Sequence, residues 1–310
     1  IYGTIFEYFI VSLNVKSVIS MIKESELILK EGRVYHLGLS KDELADTIIT
    51  VGDPQRVMRV TMHFDQVDTI VQNREFITHT GRIGSKRISV IGTGIGPDNI
   101  DIMINEADAL KNIDFETRRI CDKLKPLTII RMGTSGSLQA DIDVDDILIS
   151  SHGFGIDGLM NFYDYPKSAF QKAFLHEISN KFPQLVNMCI PTIFEADNHL
   201  LESFPVGWHR GMTITAGGFY GPQGRELRLK QFMRPVIDQL TLFNFRGHRF
   251  CNFEMETSAI YGLAKLLGHR AMSINAIVAN RVQKTYSQKP QETIDRMIKN
   301  ALEVIVEKDL

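Results

Sequence analysis

Hydrophobic positions along this chain form short apolar runs of strand length, which alternate with longer segments of helical period. The runs predict strands at 47–51, 67–71, 76–83, 87–91, 128–130, 144–150, 212–216 and 271–278. The longer segments predict helices that start at 40 and at 57, and further helices at 98 to about 124, 168–181, 255–267 and 291–307. Because strands and helices alternate without a Pro/Ser-rich linker, we expect one α/β domain with a central mixed sheet.

The first part of the chain does not share this alternation. Residues 1–33 are predicted to be an N-terminal extension, and residues 34–310 a single domain. The apolar stretch 1–15 contains Glu7, lacks the basic start and cleavage site of a signal peptide, and is too short to span a membrane. The chain starts with Ile, and Met21 opens a polar segment. We therefore expect that residues 1–20 are not part of the functional fold.

Composition limits the classes of partner. The 310 residues are 44% hydrophobic and 23% charged with a formal net charge of -2, which indicates no bulk attraction to nucleic acid or membrane. The three cysteines, at 121, 189 and 251, are too far apart for a disulfide framework and favour a reducing cytoplasm. No Cys or His spacing indicates zinc.

The stretch 128–137, TIIRMGTSGS, carries the strongest chemical signal. It is interpreted as the end of a buried strand, followed by Arg131 and a loop of small residues. Ligands of open α/β sheets bind beyond the carboxyl ends of strands, and a guanidinium beside a Gly/Thr/Ser loop suits phosphate. Arg131 is accordingly expected to contact ligand rather than core. A tight turn with a solvated arginine is the alternative.

Two further arginines follow or precede predicted strands. Arg56 lies in the turn after strand 47–51, and Arg74 lies just before strand 76–83. Taken alone, each of these side chains is explained equally well as a surface arginine. Together with Arg131 they form a candidate set of anion ligands.

An acidic motif, NFEMET at 252–257, places Glu254 and Glu256 around Met255 where a helix is predicted to begin. In extended backbone both carboxylates would lie on one face. A carboxylate that accepts two hydrogen bonds suits a vicinal diol, such as that of ribose. The alternative is a carboxylate that stabilises the N-terminus of the helix.

Eight short motifs occur in order along the chain: VYHLGLS (34–40), VGDPQR (51–56), NREF (73–76), GTGIG (92–96), IIRMGTSGS (129–137), GFYGPQGR (218–225), NFEMETS (252–258) and IVANR (277–281). Single motifs such as GTGIG are weak evidence, but eight in this order and with fitting spacing are specific. Through them the chain resembles uridine phosphorylases, within the nucleoside phosphorylase-I family, over about residues 34–307.

The resemblance implies a three-layer α/β/α fold whose mixed sheet partly closes into a barrel. It implies phosphorolysis of uridine to uracil and ribose 1-phosphate, with inorganic phosphate as co-substrate and no cofactor. It also implies a homo-oligomer whose active sites are shared between subunits.

The resemblance further assigns residues to parts of the substrate. Phosphate would be held by Gly52, Arg56, Arg131 and Thr134, with Arg74 from a neighbouring subunit. Ribose would be held by Thr134, Glu254, Met255 and Glu256, with His36 from the neighbour on the 5′-hydroxyl. The base would meet Ser135, Gly136, Phe219, Gln223, Arg225 and Arg281. Glu75 matches a residue that in some members binds a monovalent cation, but the sequence near Asn99 differs, so the cation stays open.

Three alternatives compete with uridine phosphorolysis. Related purine phosphorylases and nucleosidases carry a Ser-Asp pair where this chain has Asn280-Arg281, so the acid that would protonate a purine is missing. Nucleosidases use water and need no phosphate-binding arginines. A non-catalytic nucleoside-binding protein on the same fold is the third alternative. The sequence does not settle preference among uridine, deoxyuridine and thymidine, nor dimer against hexamer.

Overall fold

The computed structural model describes residues 21–310, so the expectation for residues 1–20 lies outside the described residues. Its helices are α1 (Pro54–Thr61), α2 (Pro97–Asn112), α3 (Ala169–Lys181), α4 (Pro183–Met188), α5 (Asn198–Ser203), α6 (Arg234–Thr241), α7 (Thr257–Leu267) and α8 (Pro290–Glu307). Its strands are β1 (Leu29–Lys30), β2 (Arg33–Val34), β3 (Thr47–Val51), β4 (Gln66–Asn73), β5 (Phe76–Ile83), β6 (Lys86–Gly92), β7 (Ile113–Asp114), β8 (Arg119–Ile120), β9 (Thr128–Ser137), β10 (Ile147–Gly155), β11 (Thr192–Glu195), β12 (His209–Thr215), β13 (Asn244–Phe245), β14 (His248–Glu254), β15 (Arg270–Asn280) and β16 (Thr285–Tyr286). The domain boundary predicted at residue 33 stays a prediction.

The main sheet closes on itself through five strands. Their order is β9, β15, β10, β12 and β14, and β14 pairs back onto β9, with Asn252 opposite Ser137 and Phe253 opposite Gly136. On the other side of β9, the strands β3, β6, β5 and β4 continue as an open sheet. Parallel and antiparallel pairs both occur, as between β15 and β9 and between β14 and β9. The predicted mixed, partly barrel-like sheet is confirmed.

Helices cover both faces of the sheet, which explains why its central strands are apolar throughout. Ile48 of β3 and Ile129 of β9 lie in a core with α2 and α7, whereas their neighbours Ile49 and Ile130 lie in a second core with α1 and α8. A strand covered on both faces has no solvated side. The predicted three-layer α/β/α arrangement is therefore confirmed. No helix within residues 21–310 is long and apolar enough to cross a membrane.

The loop predicted after residue 130 is wrong, because β9 continues to Ser137 as regular strand. It pairs with β15 along its length, with β3 at its start and with β14 at its end. Gly133 is not a turn residue here. A Cβ atom at this position would lie 1.9 Å from Nη1 of Arg131, so the missing side chain makes room for the guanidinium.

The helix predicted to run to about residue 124 is also wrong. It ends at Asn112 and is followed by the small hairpin β7–β8. The Asn112 side chain donates to the carbonyl of Lys125 and accepts from its N–H, which returns the chain to the sheet. In the hairpin turn, Asp114 accepts hydrogen bonds from the N–H and hydroxyl of Thr117. Local polar contacts therefore outweigh the helical spacing of the apolar residues.

Acid is expected to weaken the fold through His152, which lines a cavity of about 230 Å³. Burial, followed by the charge of His248, lowers the pKa of His152 from 6.5 to about 4, against an opposing effect of Glu195. The unfolded chain therefore takes up this proton first, and stability falls as the pH drops from about 6.5 towards 4. His152→Gln should reduce the loss of unfolding free energy between pH 7 and pH 5 by about 1–2 kcal/mol. Urea unfolding of both proteins at the two pH values measures this, and equal losses would contradict it.

Candidate active site

A cavity of about 590 Å³ lies beside the closed part of the sheet. It collects most of the residues that the sequence singled out, although they come from distant parts of the chain. Those that line it are Gly52, Arg56, Arg131, Thr134, Ser135, Gly136, Phe219, Gln223, Arg225, Glu254, Met255 and Glu256. The other lining residues include Ile95, Phe253, Val278, Ala279 and Tyr286, so one part of the wall is apolar.

Arg131 lies at the centre of a buried ion-pair network. One guanidinium nitrogen, Nη2, is 2.5 Å from Oε2 of Glu256 and 3.3 Å from Oε2 of Glu254. The other, Nη1, donates to Oδ1 of Asn275 at 2.9 Å. Burial acts to lower the pKa of Arg131, but the attraction of Glu254 and Glu256 outweighs it, and the pKa is raised. The expectation that Arg131 contacts ligand rather than core is wrong in part, since the residue is only 5% exposed and is tied to the protein.

The two carboxylates have different surroundings. Glu254 ends β14, and its oxygens accept hydrogen bonds from the Thr215 hydroxyl and from the backbone N–H groups of Glu256 and Thr257. This is the role of a carboxylate at a helix N-terminus. Glu256 instead accepts from the N–H of Gly96 at 2.8 Å. Burial raises the pKa of Glu256 against the lowering effect of Arg131, with Glu254 adding repulsion.

A second guanidinium adds positive charge at this end of the cavity. Arg56 lies in the first turns of α1, which begins after Asp53 caps it by accepting from the N–H of Gln55. In the described part of the chain, its only side-chain hydrogen bond goes to the carbonyl of Met132 at 3.2 Å. Burial, followed by the charge of Arg131, lowers the pKa of Arg56 to about 10. Arg56 stays cationic at neutral pH and keeps donors for an anion.

At another part of the wall, an amide, a guanidinium and an aromatic ring form one unit. Arg225 donates to Oε1 of Gln223 at 2.5 Å and to the carbonyl of Phe219 at 2.7 Å. Its guanidinium carbon lies 3.7 Å from the centre of the Phe219 ring. Burial lowers the pKa of Arg225. Gln223 is 2% exposed, so its amide is held in one orientation. The unit offers planar hydrogen-bonding groups to a flat polar ligand.

Four sequence-predicted residues do not line this cavity: His36, Arg74, Glu75 and Arg281. The guanidinium of Arg281 lies 5.5 Å from the ring centre of Phe253, and its buried Nη1 has no partner within residues 21–310. Burial, followed by the charges of Arg225 and Arg234, lowers the pKa of Arg281 to about 10.

His36 and Arg74 lie together on a separate surface. Nη2 of Arg74 donates to the hydroxyl of Tyr35 at 2.9 Å, and the ring of His36 packs edge-on against Tyr35. Glu75 is exposed in the same turn as Arg74. Within residues 21–310, no three His, Cys, Asp or Glu side chains meet in a way that could hold a metal ion.

A series of hydrogen-bonded, buried side chains runs around the inside of the closed sheet. The sequence analysis did not identify it. Each of the five strands contributes at least one polar residue. The hydrogen bonds run from Arg131 to Asn275, from Asn275 to Ser150, between Ser150 and Thr213, from Thr213 to Asn252, and from Asn252 to Ser135. The only signal in the sequence is a polar residue inside an otherwise apolar strand. The chain of bonds holds Arg131 and Ser135 in fixed positions at the cavity wall.

Gly133→Ala is expected to displace Arg131 and to destabilise the protein by about 1–3 kcal/mol. The new Cβ atom would lie 1.9 Å from Nη1 of Arg131, and Asn275 and Glu256 hold that guanidinium in place. Chemical unfolding measures the loss. Gly136→Ala on the same strand is the control, because its Cβ atom meets its nearest neighbour at 3.8 Å and should cost little stability. Equal stability of both variants would contradict the expected clash.

Comparison with known proteins identifies the family of this chain. A family model described as the phosphorylase superfamily matches residues 46–307. The uridine phosphorylase of Thermococcus kodakarensis is 29% identical over 284 residues, which are 90% of this chain and 89% of that relative. A DeoD-type purine nucleoside phosphorylase of Listeria welshimeri is 26% identical over 276 residues, which are 87% of this chain and 98% of that relative.

A solved structure is also similar over nearly the whole chain. It is a Trypanosoma brucei nucleoside phosphorylase described as showing uridine phosphorylase activity. It superposes with a TM-score of 0.80 at 28% identity and covers 91% of this chain and 99% of its own. The family match spans most of the chain and includes the strands and loops that form the cavity. The chain therefore belongs to the phosphorylase superfamily.

Proposed function

We propose that this protein catalyses the phosphorolysis of uridine, which gives uracil and ribose 1-phosphate. One observation carries the proposal. A single cavity holds two buried guanidinium groups and a buried carboxylate at one part, and the Phe219–Gln223–Arg225 unit at another. Two similar proteins support the proposal. The one from Thermococcus kodakarensis is named a uridine phosphorylase, and the one from Trypanosoma brucei is described as showing uridine phosphorylase activity.

We assign the phosphate to the part of the cavity with Gly52, Arg56, Arg131 and Thr134. Breaking an N-glycosidic bond leaves a sugar of oxocarbenium character, which a dianionic phosphate stabilises while it attacks. The two guanidinium groups neutralise and orient the phosphate, and their fork geometry suits its oxygens. Holding the reactants together makes the attack effectively unimolecular, so no protein nucleophile is needed.

We assign ribose to Thr134, Met255 and Glu256, with Glu254 holding the start of α7 in place. Glu256 keeps one oxygen on Arg131 and the other on the N–H of Gly96. Each carboxylate oxygen has a second lone pair, so the group can also accept hydrogen bonds from a vicinal diol. The ribose and the phosphate would then be fixed relative to each other through the Glu256–Arg131 pair.

We assign the base to Ser135, Gly136, Phe219, Gln223 and Arg225, with Arg281 behind the wall formed by Phe253. Negative charge on a leaving uracil spreads onto its carbonyl oxygens and N3. The amide of Gln223 and the guanidinium of Arg225 are fixed donors for that charge. Such preorganised donors contribute roughly 3 kcal/mol each by analogy with oxyanion holes.

A purine substrate is disfavoured by the surroundings of Asn280. Its amide nitrogen donates to the carbonyls of Gln139 and Ile142, and its oxygen accepts from the N–H groups of Val282 and Gln283. All its hydrogen-bonding capacity is therefore used within the protein, and Asn280 has no acidic proton to give to a purine leaving group.

The test measures release of uracil from uridine by chromatography, with and without inorganic phosphate. We expect turnover only when phosphate is present. Ribose 1-phosphate should then form in an amount equal to that of uracil. Turnover without phosphate would identify a nucleosidase. Faster turnover of inosine than of uridine would identify a purine enzyme. Binding of uridine without turnover would identify a nucleoside-binding protein and reject the enzymatic proposal.

We also propose a homo-oligomer in which a neighbouring subunit completes each site. His36 and Arg74 match active-site residues of the family but lie together outside the cavity of their own chain. A neighbour that presents this surface to the cavity would supply the missing contacts to the 5′-hydroxyl and phosphate.

Hybrid sites are the expected consequence of this sharing. Arg74→Ala and Arg131→Ala subunits should each be nearly inactive, and a mixed oligomer should recover activity where an intact cavity meets an intact neighbour. In a dimer with random exchange, about one site in four of the mixed population would contain neither substitution. The measurement is activity after verified subunit exchange. A fully active wild-type monomer, or exchange without recovery, would reject sharing.

We place this activity in pyrimidine nucleoside salvage in the cytoplasm. The cysteines at 121, 189 and 251 are all unpaired, as suits a reducing compartment. Inorganic phosphate would act as co-substrate, and the proposed steps use no cofactor.

A further inference from the structure

Glu106, on α2, makes contacts that neither the core nor the cavity accounts for. It is 9% exposed, and its carboxylate accepts three N–H groups. These are the backbone N–H of His36 at 2.9 Å, the backbone N–H of Leu37 at 2.8 Å, and Nδ1 of the His36 ring at 2.7 Å. In the part of the chain that the structure describes, no Lys or Arg forms a salt bridge with it. A nearly buried carboxylate without a cation is costly, so its contacts to His36 need an explanation.

These contacts fix the chemistry of the His36 ring as well as its position. An ionised carboxylate only accepts hydrogen bonds, so Nδ1 must carry a proton and Nε2 is the nitrogen that points away from Glu106. The backbone on the other side is held too, because Asn73 donates to the carbonyls of Tyr35 and His36 at 2.9 and 2.8 Å. The His36 side chain remains 30% exposed, so the ring is held in place and is still accessible from outside the chain.

We propose that Glu106 is a positioning residue, which presents Nε2 of His36 to the nucleoside 5′-hydroxyl in the site of a neighbouring subunit. The inference rests on the proposed function and extends it to a residue outside the cavity. An amide could not replace the carboxylate. Glutamine would offer one acceptor oxygen and an NH₂ group to three N–H donors, so at least one donor would lose its partner.

The test compares uridine with 5′-deoxyuridine, which lacks only the hydroxyl that His36 would contact. Glu106→Gln should lower kcat/KM for uridine about tenfold, as expected for losing one hydrogen bond to the 5′-hydroxyl, with most of the change in KM. It should leave kcat/KM for 5′-deoxyuridine within about twofold of wild type. A general structural defect would lower both substrates alike, and that result would overturn the proposal.

Two further variants separate positioning from stability. The double variant His36→Ala with Glu106→Gln should be no worse than His36→Ala alone, because Glu106 acts through His36. Additive losses would overturn the proposal. The matched control is Asp146→Asn, which removes the carboxylate that lies 3.0 Å from Nε2 of His209, away from the cavity. It should leave the ratio of the two substrates unchanged.

A spectroscopic measurement makes the inference independent of activity. In ¹⁵N-histidine-labelled protein, long-range ¹H–¹⁵N correlation spectra report which ring nitrogen carries the proton, and the His36→Ala variant identifies the His36 signal. We expect a proton on Nδ1 of His36 in the wild type and a redistribution in Glu106→Gln. An unchanged pattern would overturn the positioning role. Absence of phosphate-dependent turnover in the wild type would instead reject the proposed function.

Discussion

Arg131→Ala is expected to reduce uridine phosphorolysis by about 10³-fold or more and to lower the free energy of unfolding by about 3–5 kcal/mol. The activity falls because the phosphate loses a fixed, charged donor. Stability falls because Glu254 and Glu256, both buried, lose the cation between them. Removing one partner of a buried ion pair leaves an uncompensated charge.

Arg131→Lys separates the two effects. The ammonium keeps the positive charge beside Glu256, so this variant should regain much of the lost stability. It cannot reproduce the simultaneous hydrogen bonds to Glu256 and Asn275 that hold the guanidinium, so its activity should stay at least about tenfold below wild type. Urea unfolding and kcat/KM at limiting phosphate measure the two effects. Wild-type activity in either variant would show that the phosphate assignment is incorrect.

The fold class follows from the sequence because each layer leaves a local signature. The strands β3 and β5 were predicted with their observed bounds, since short segments rich in apolar and β-branched residues between turn residues indicate strands. The helix predicted to start at residue 40 is present as one short turn, Lys41–Glu43, after Ser40. These features depend on neighbours a few residues away, which a sequence displays directly.

The family resemblance implied a partly closed sheet, but the local pattern could not show which residues close it, because the closure depends on contacts distant in sequence. The end of β9 is rich in Gly, Thr and Ser and resembles a loop, yet Gly136 pairs with Phe253, and Ser137 with Asn252, more than a hundred residues away. The missed strand β14 supplies these partners. Without knowledge of that pairing, small polar residues favour a turn.

The candidate site shows the same difference between features that are local in sequence and features that depend on distant contacts. Its charged candidates could be singled out because the arginines lie at the ends of predicted strands and the glutamates lie where a helix is predicted to begin. Their supporting residues could not. Asn275, Thr213 and Glu106 lie within strands or a helix, where a polar residue in the sequence does not reveal whether it faces solvent or a buried partner. Only the folded geometry places Asn275 on Arg131 and Glu106 on His36.

Base choice gives the second large expected effect. The kcat/KM for uridine should exceed that for cytidine by a factor of up to about 10⁴, and turnover of inosine should be near background. Uracil presents acceptor, donor and acceptor groups in order. Oε1 of Gln223 already accepts from Arg225, but its second lone pair can take N3–H, and the amide nitrogen can donate to O2. Arg225 can donate to O4. Cytosine places an amino group there, so two donors face each other at a cost of about 1–3 kcal/mol for each unpaired group.

Gln223→Ala tests the assignment through the ratio of substrates rather than through activity alone. It should lower kcat/KM for uridine by about 10²-fold or more, since a fixed donor and acceptor are lost together. The loss of kcat/KM for cytidine should be smaller, because the poorer substrate makes fewer of these contacts. The ratio of kcat/KM for uridine to that for cytidine should therefore fall. The control is Gln184→Ala on the exposed face of α4, which should change neither value. Comparable kcat/KM for inosine and uridine in the wild type would move the protein to the purine branch. An unchanged uridine-to-cytidine ratio in Gln223→Ala would mean that Gln223 does not read the base.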